Sequence, residues 1–284
     1  MDLRTRSYQP APGALLVATL IVAAGAVGVR ERSSQGAAAW PHEPTGFRPI
    51  EQQGWADWRG WGHDPQNGYM SLVINQDGQI SAPSAIQWRQ SAGMSGGGDP
   101  PYGLGHAWYT LPANRHNRKL FVGLCFKVSA QFQGHSSGVQ KLLFISAHGN
   151  GHNDLWLEVG GRGDGPLGVR MAGEFVGLAP INIEPNQTNY ESASHPGETA
   201  VVISRGVWHR YELYVELPAV SGGTGALRVW IDGVRAISRT DLPMSFDANN
   251  GWVQVHHDPI WGGVGDAKRR DDYVWLDETY VSGP

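Results

Sequence analysis

The chain has 284 residues, including 39 glycines, 18 prolines and 12 tryptophans, and only 17% of its side chains are charged. That length admits one large domain or two smaller ones. A formal net charge of −4 without a basic stripe excludes a general nucleic-acid-binding face, while leaving room for a local basic groove. Cys125 is the only cysteine, so no internal disulfide forms. Export stays open, because a domain of this size builds its core without staples.

In chain order, Arg4 and Arg6 precede a largely apolar run from Ala11 to Val29, broken only by Pro12, Thr19 and glycines. A positive region followed by an apolar one marks residues 1–30 as a signal peptide or an N-terminal membrane anchor. Ala24-Gly25-Ala26 and Ala37-Ala38-Ala39 offer small-residue cleavage sites. The run also approaches the roughly 20 residues that span a bilayer, which permits an uncleaved anchor. Its lack of amphipathicity argues against a buried helix. The body is therefore expected to be secreted or extracytoplasmic, periplasmic or at the cell surface. It would touch a membrane only through this segment. Residues 31–46, rich in Ser, Gln, Ala, Pro and Arg, read as a linker. No composition shift or fixed-period repeat follows, so 47–284 is predicted to be one domain.

Within it, period-two alternation predicts strands at Tyr69–Ile74, Ala85–Gln90, Leu120–Val128, Lys141–Ser146, Leu155–Val159, Gly168–Met171, Val201–Ile203, Val207–Glu216, Ala226–Asp232, Trp252–His257 and Asp272–Val281. Asp77-Gly78, Asn150-Gly151, Asp232-Gly233 and Asn250-Gly251 supply tight turns. Helical periodicity is nearly absent, so the fold class is all-β. The clearest signal lies between Trp208 and Gly233. His209, Tyr211, Leu213 and Val215 share a core face, and Arg210, Glu212, Tyr214 and Glu216 share the other. Leu227, Val229 and Ile231 face the core on the next strand, with Arg228 and Trp230 opposite. Cys125, in an apolar strand, reads as a small buried hydrophobe rather than a reactive thiol. Ala179 to Thr199, with Pro180, Pro185 and Pro196, reads as a long surface loop walling one end of a cleft.

The pair Trp208…Glu216 and Leu227…Asp232-Gly233 resembles the W-x-x-Y-x-x…L-x-x-W-x-D-G hairpin of the concanavalin A-like lectin/glucanase superfamily. Trp261-Gly262-Gly263 and the last strand, Asp272 to Val281, resemble the glycine pair and final strand of its exported bacterial polysaccharide-lyase-like members. Gln133 to Leu142 is similar to the same proteins. The resemblance spans about Phe47 to Val281. It implies an antiparallel two-sheet jelly-roll β-sandwich with a concave, sugar-holding face. It leaves activity open, since the superfamily holds hydrolases, lyases and non-catalytic lectins. Those members often carry a tyrosine before the glycine pair; Trp261 stands there, so that role does not carry over.

Retaining glycoside hydrolysis needs two carboxylates about 5 Å apart. The superfamily's Glu-x-Asp-x-(x)-Glu signature is missing. Glu212 and Glu216 are separated by roughly 13 Å on an extended strand, too far to share one bond cleavage. β-Elimination from a uronic-acid polymer needs a cation for the substrate carboxylate and groups that move protons. Lys141, Arg170, Tyr214 and His256 are the candidate catalytic residues, and His135, Trp156, Glu158, Arg210, Glu212 and Trp230 the candidate substrate-binding residues. Trp156, Tyr214, Trp230 and Trp252 are placed opposite their strands' aliphatic sets, where rings stack on sugars. For Trp230 a core position is an equal alternative, because one step of register reverses every side chain. Lys141, Arg170, Arg210, Tyr214, Trp230 and His256 are expected to line one cleft, so that Arg170→Ala and Tyr214→Phe weaken binding or turnover without moving the unfolding midpoint. The bland alternatives are a snorkelling Lys141 and an exposed Arg210–Glu212 ion pair.

Zinc at His256-His257-Asp258 or His148…His152…Asp154 is disfavoured, because adjacent strand residues point to opposite faces. No cofactor is required. The resemblance implies a structural calcium, for which Asp277 is the candidate ligand. The sequon Asn186-Gln187-Thr188 and the Arg162-Gly163-Asp164 triplet carry no inference. The functional expectation is an exported protein acting on or binding a polysaccharide, as a lyase. A non-catalytic lectin-like binding module and a structural, protein-binding surface domain are the alternatives.

Overall fold

Among the described residues, alternating aliphatic and polar side chains produce sixteen strands in two antiparallel sheets, with no α-helix. The computed structural model describes residues 40–64, 68–74, 84–96, 105–113, 117–147, 153–183, 196–247, 251–263 and 267–284. The export segment, the Asp77-Gly78 and Asn150-Gly151 turns, Asn250, His148, His152 and the sequon lie outside the described residues. No helix among the described residues is long and apolar enough to cross a membrane.

The strands are β1 (Arg48–Gln53), β2 (Gly62–Asp64), β3 (Met70–Ile74), β4 (Ser84–Gln90), β5 (His106–Thr110), β6 (Lys119–Val128), β7 (Lys141–Ser146), β8 (Asn153–Gly160), β9 (Leu167–Phe175), β10 (Ile181–Ile183), β11 (Val202–Ile203), β12 (His209–Glu216), β13 (Thr224–Ile231), β14 (Val234–Pro243), β15 (Gln254–His257) and β16 (Asp272–Gly283). The first sheet runs β14-β13-β12-β6-β16-β4-β3, with β1 also paired to β16. The second runs β10-β9-β8-β7-β15-β5-β2, with β11 also paired to β9. This is the predicted two-sheet sandwich.

One core fills the space between the sheets. Leu120, Val122, Leu124 and Phe126 of β6, Tyr211, Leu213 and Val215 of β12 and Leu227, Val229 and Ile231 of β13 share it with Leu143, Ile145, Leu155, Leu157, Val159, Val169, Met171 and Val255 of the second sheet. Each fully buried side chain of this kind contributes about 1.5–3 kcal/mol. The β13–β14 hairpin closes at Asp232 (φ 50°) and Gly233 (φ 82°). Two left-handed residues in succession make the turn whose twist matches the strands, as the dipeptide predicts.

Every predicted strand is present, Lys141–Ser146 with the expected ends and the others with one or both ends shifted. β1, β2, β5, β10 and β14 were not anticipated, for local reasons. β2 and β10 span three residues each. The β13–β14 register shifts twice, which breaks alternation along β14. β10 also shows that the stretch read as a loop from Ala179 begins with a strand beside β9.

The linker reading fails from Trp40 onward. Trp40 stacks on Tyr280 with ring centroids 5.9 Å apart and meets Phe121 edge-on. A Cβ on Gly123 would lie 2.6 Å from the Trp40 ring, so glycine there makes the seat. The Tyr280 hydroxyl donates to Glu43 at 2.7 Å. Burying the indole outweighs the polar composition of the segment. Cys125 lies in this second cluster, where burial pushes its thiol well up and keeps it inert. β6 is therefore covered on both faces, and apart from Lys119 and Lys127 its sequence is apolar.

Candidate functional site

The second sheet turns its polar chemistry away from the core. On β8, Leu155, Leu157 and Val159 point inward, which sends Trp156 and Glu158 to the other face. Val169 and Met171 do the same for Arg170 on β9, and Val255 and His257 for His256 on β15. Lys141 and Phe144 are three residues apart yet share this outer face. A register shift between Lys141 and Leu143 against β8 supplies the extra residue.

These side chains form one array. The Lys141 ammonium lies 4.5 Å from the Trp156 ring centroid and 5.5 Å from that of Phe144. The His256 ring stands edge-on to Phe144, with centroids 4.7 Å apart. Glu158, 1% exposed, pairs with the Arg170 guanidinium at 3.0 Å and accepts the Trp156 indole N–H. Arg170 also donates to Asn182 at 2.8 Å. Among the described residues no carboxylate lies within ion-pair distance of Lys141, whereas Arg170 is paired with Glu158.

His256 Nδ1 lies 3.1 Å from Gln254 Oε1. An amide oxygen only accepts, so Nδ1 carries the proton and Nε2 keeps its lone pair. That Nε2 is buried and has no hydrogen-bond partner among the described residues. Burial, assisted by nearby His106, pushes His256 down to about 4, so the ring is neutral at neutral pH. Burial pushes Asp258 up to about 6, against the pull of His106 and Lys141.

Sequence reasoning missed part of this face. Trp108 of β5 pairs across from His256, and the His106 and Trp108 rings are 4.9 Å apart. Gln254, Asp258 and Asn182 complete the surroundings. The signal available was the alternating run His106-Ala107-Trp108-Tyr109-Thr110, in which Ala107 is fully buried. His256 and His257 point to opposite faces, as expected of a strand. His257 meets Thr279 Oγ1 at 3.0 Å and lies beside Trp55 and Trp61. Burial pushes it down to about 3.

The expectation of a single cleft for six residues does not hold. Lys141, Arg170 and His256 belong to the second sheet, while Arg210, Tyr214 and Trp230 belong to the first. The outer faces of two stacked sheets look away from each other across the core. On the first sheet, the segment from Trp40 to Phe47 lies over these residues. Arg210 sits over the Trp40 ring at 5.4 Å, and Trp230 stacks on His42 at 4.6 Å. Glu212 accepts from the His42 backbone N–H at 2.9 Å and pairs with its ring, so it forms no exposed ion pair with Arg210. Tyr214 donates to Glu216 at 2.6 Å and lies beside Phe47.

Other placements also change. Trp252, expected on the outer face, is fully buried in the core. His135 is a loop brace. It is fully buried, with its backbone N–H donating to Gln140 at 2.9 Å, its Nδ1 2.8 Å from Ser137 Oγ and its ring edge-on to Trp261. A Cβ on Gly262 would lie 2.0 Å from that imidazole, which accounts for the first glycine of the pair. Trp261 is buried and donates to the Gln133 carbonyl at 2.7 Å. Asp277 is fully buried, and its backbone carbonyl accepts from Trp55. Among the described residues no group of three His, Cys, Asp or Glu side chains converges to hold a metal, so calcium enters none of the chemistry below.

No protein-family model and no curated protein matches this sequence. Solved structures do match its fold. An endo-β-1,4-glucuronan lyase from the fungus Trichoderma reesei superposes with a TM-score of 0.55 at 16% identity, over 84% of this chain and 96% of that one. A marine PL-14 alginate lyase from Aplysia kurodai gives 0.56 at 12% identity, over 84% and 100%. An alginate lyase solved with an alginate trisaccharide gives 0.54 at 10% identity, over 79% and 98%. At these identities the likeness establishes architecture, and the chain has the concanavalin A-like antiparallel jelly-roll fold that these polysaccharide lyases share.

Proposed function

We propose that this domain is an exported polysaccharide lyase that cleaves a uronic-acid polymer by β-elimination on the outer face of the second sheet. One observation carries the reading: Lys141, an ammonium without a carboxylate in ion-pair distance, and His256, a neutral imidazole whose Nε2 has no hydrogen-bond partner, both among the described residues, flank the same Phe144 ring. Lys141 holds the substrate carboxylate and stabilises the negative charge that develops as the C5 proton leaves. His256 Nε2 accepts that proton. The C4–O4 bond breaks, a C4=C5 double bond forms, and the resulting imidazolium returns its proton to O4. An imidazolium whose ring is held at about 4 is a strong donor for that last step. Trp156 and Trp108 offer faces for pyranose stacking. Arg170 acts as a positioning residue, because its charge is matched by Glu158, which in turn holds the Trp156 indole. Tyr214, on the other sheet, takes no part.

The test is a panel of uronate and neutral polysaccharides, read by ultraviolet absorbance of the new double bond and by retention in affinity gels. Absorbance growing on a uronate polymer, lost in His256→Ala, is the expected result. The aromatic floor of Phe144, Trp156 and Trp108 also favours a second reading, a non-catalytic binding module. Retention without absorbance selects it. Neither signal on a broad panel overturns both.

A further inference from the structure

A cavity of about 570 Å³ lies where three loops meet at one end of the sandwich. It is lined by Gln133, Gly134, Ser136, Arg162, Gly163, Ala267 and Arg269. Its volume is that of a small-ligand site. Its charge is strongly one-sided. Asp164 is shared between Arg269 at 2.9 Å and Arg270, while Asp272 pairs with buried Lys268 at 2.8 Å. Arg205 reaches into the same loops and donates to the carbonyls of Phe132 and Gly165. Arg162 is exposed and has no carboxylate within ion-pair distance among the described residues. Among the described residues cations therefore outnumber carboxylates here, although the whole chain is acidic.

The cavity is also built. Gly134 and Gly163 exchange backbone hydrogen bonds at 2.8 and 2.9 Å, which ties the loop before β7 to the loop after β8. Gly138 lies against the Arg162 side chain, and a Cβ there would be 3.6 Å from its Nε. Gln133 receives the Arg269 backbone N–H at 2.7 Å and fixes the third loop. The same two loops lead directly into the Lys141 and Glu158 ends of β7 and β8, which pair with each other. From Glu158 to Gly163 the backbone spans at most about 17 Å, the length of a few sugar residues.

Resting on the lyase reading, we infer that this cavity is a distal subsite that receives one anionic sugar residue of the same polymer, with its carboxylate against the Arg162 guanidinium. Guanidinium forks suit carboxylates, and a remote charged contact grips long chains without touching the bond that breaks.

The experiment uses alginate and glucuronan fragments of defined length, titrated calorimetrically into the protein with His256→Ala in place to stop turnover. Affinity should rise from trimers to hexamers and heptamers. Arg162→Ala should weaken the long fragments about tenfold and leave trimers unchanged, with steeper salt dependence for the long ones before substitution. Arg162→Lys should restore part of the loss, which a folding defect would not do. Equal loss at all lengths, or none, overturns the subsite. Binding of inorganic sulfate or phosphate that Arg162→Ala abolishes, without any length effect, shows a small-anion site and also overturns it. If no uronate fragment of any length binds, the functional reading itself falls, and that outcome is distinct from length-independent binding.

Discussion

Arg170→Ala is the sharpest test of the site's construction. Alternation alone suggests an exposed arginine whose loss would spare stability. The structure instead pairs it at 3.0 Å with Glu158, with side-chain exposures of 10% and 1%. Removing one member of a buried pair leaves the other charge in a poorly solvated place, at a cost of about 3–5 kcal/mol. For a domain of this size each kcal/mol moves the melting midpoint by about 2–4 °C. A loss near 3 kcal/mol should therefore lower it by roughly 6–12 °C. Arg170→Met with Glu158→Gln should recover more than half of that, because no buried charge remains. Thermal and urea unfolding, followed by near-ultraviolet circular dichroism, measure both. A single variant melting within about 2 °C of the parent, or a double variant no better than the single, would refute the reasoning.

Lys141→Ala and His256→Ala should each lower kcat by about a hundredfold or more; loss confined to KM would assign them to binding alone. The pH profile of kcat/KM should fall on the acid side near pH 4, since His256, depressed to about 4, loses its accepting lone pair as pH drops through that value. His257 contributes to acid stability. Its folded value, about 3, lies below the ordinary 6.5, so its contribution is complete above pH 6.5 and is lost as pH falls towards 3, by at most about 1.4 kcal/mol per unit. His257→Gln should flatten that slope, and an unchanged slope places the acid sensitivity elsewhere. Gly262→Ala should destabilise by at least about 2 kcal/mol, because φ is 75° and the new methyl meets the His135 ring; urea titration reads it.

Much of the fold was legible locally. Period-two patterning located Tyr211, Leu213 and Val215 against Leu227, Val229 and Ile231, and Asp232-Gly233 announced its turn, because strand faces and turn conformations depend on neighbours a few residues away. The same patterning sent His256 and His257 to opposite faces. It could say that Arg210, Tyr214 and Trp230 point away from the core, yet not that they do so on the sheet opposite Lys141, Arg170 and His256. Sheet membership comes from pairings between strands far apart in the chain, such as β12 with β6 and β15 with β7, and alternation carries no trace of it. The bulge that turns Lys141 onto the site, the Glu158 partner that occupies Arg170, and the Gly123 seat that draws Trp40 into the domain are likewise contacts between distant segments. The amino-acid order therefore determined which residues face out, and the tertiary pairing decided which of them meet.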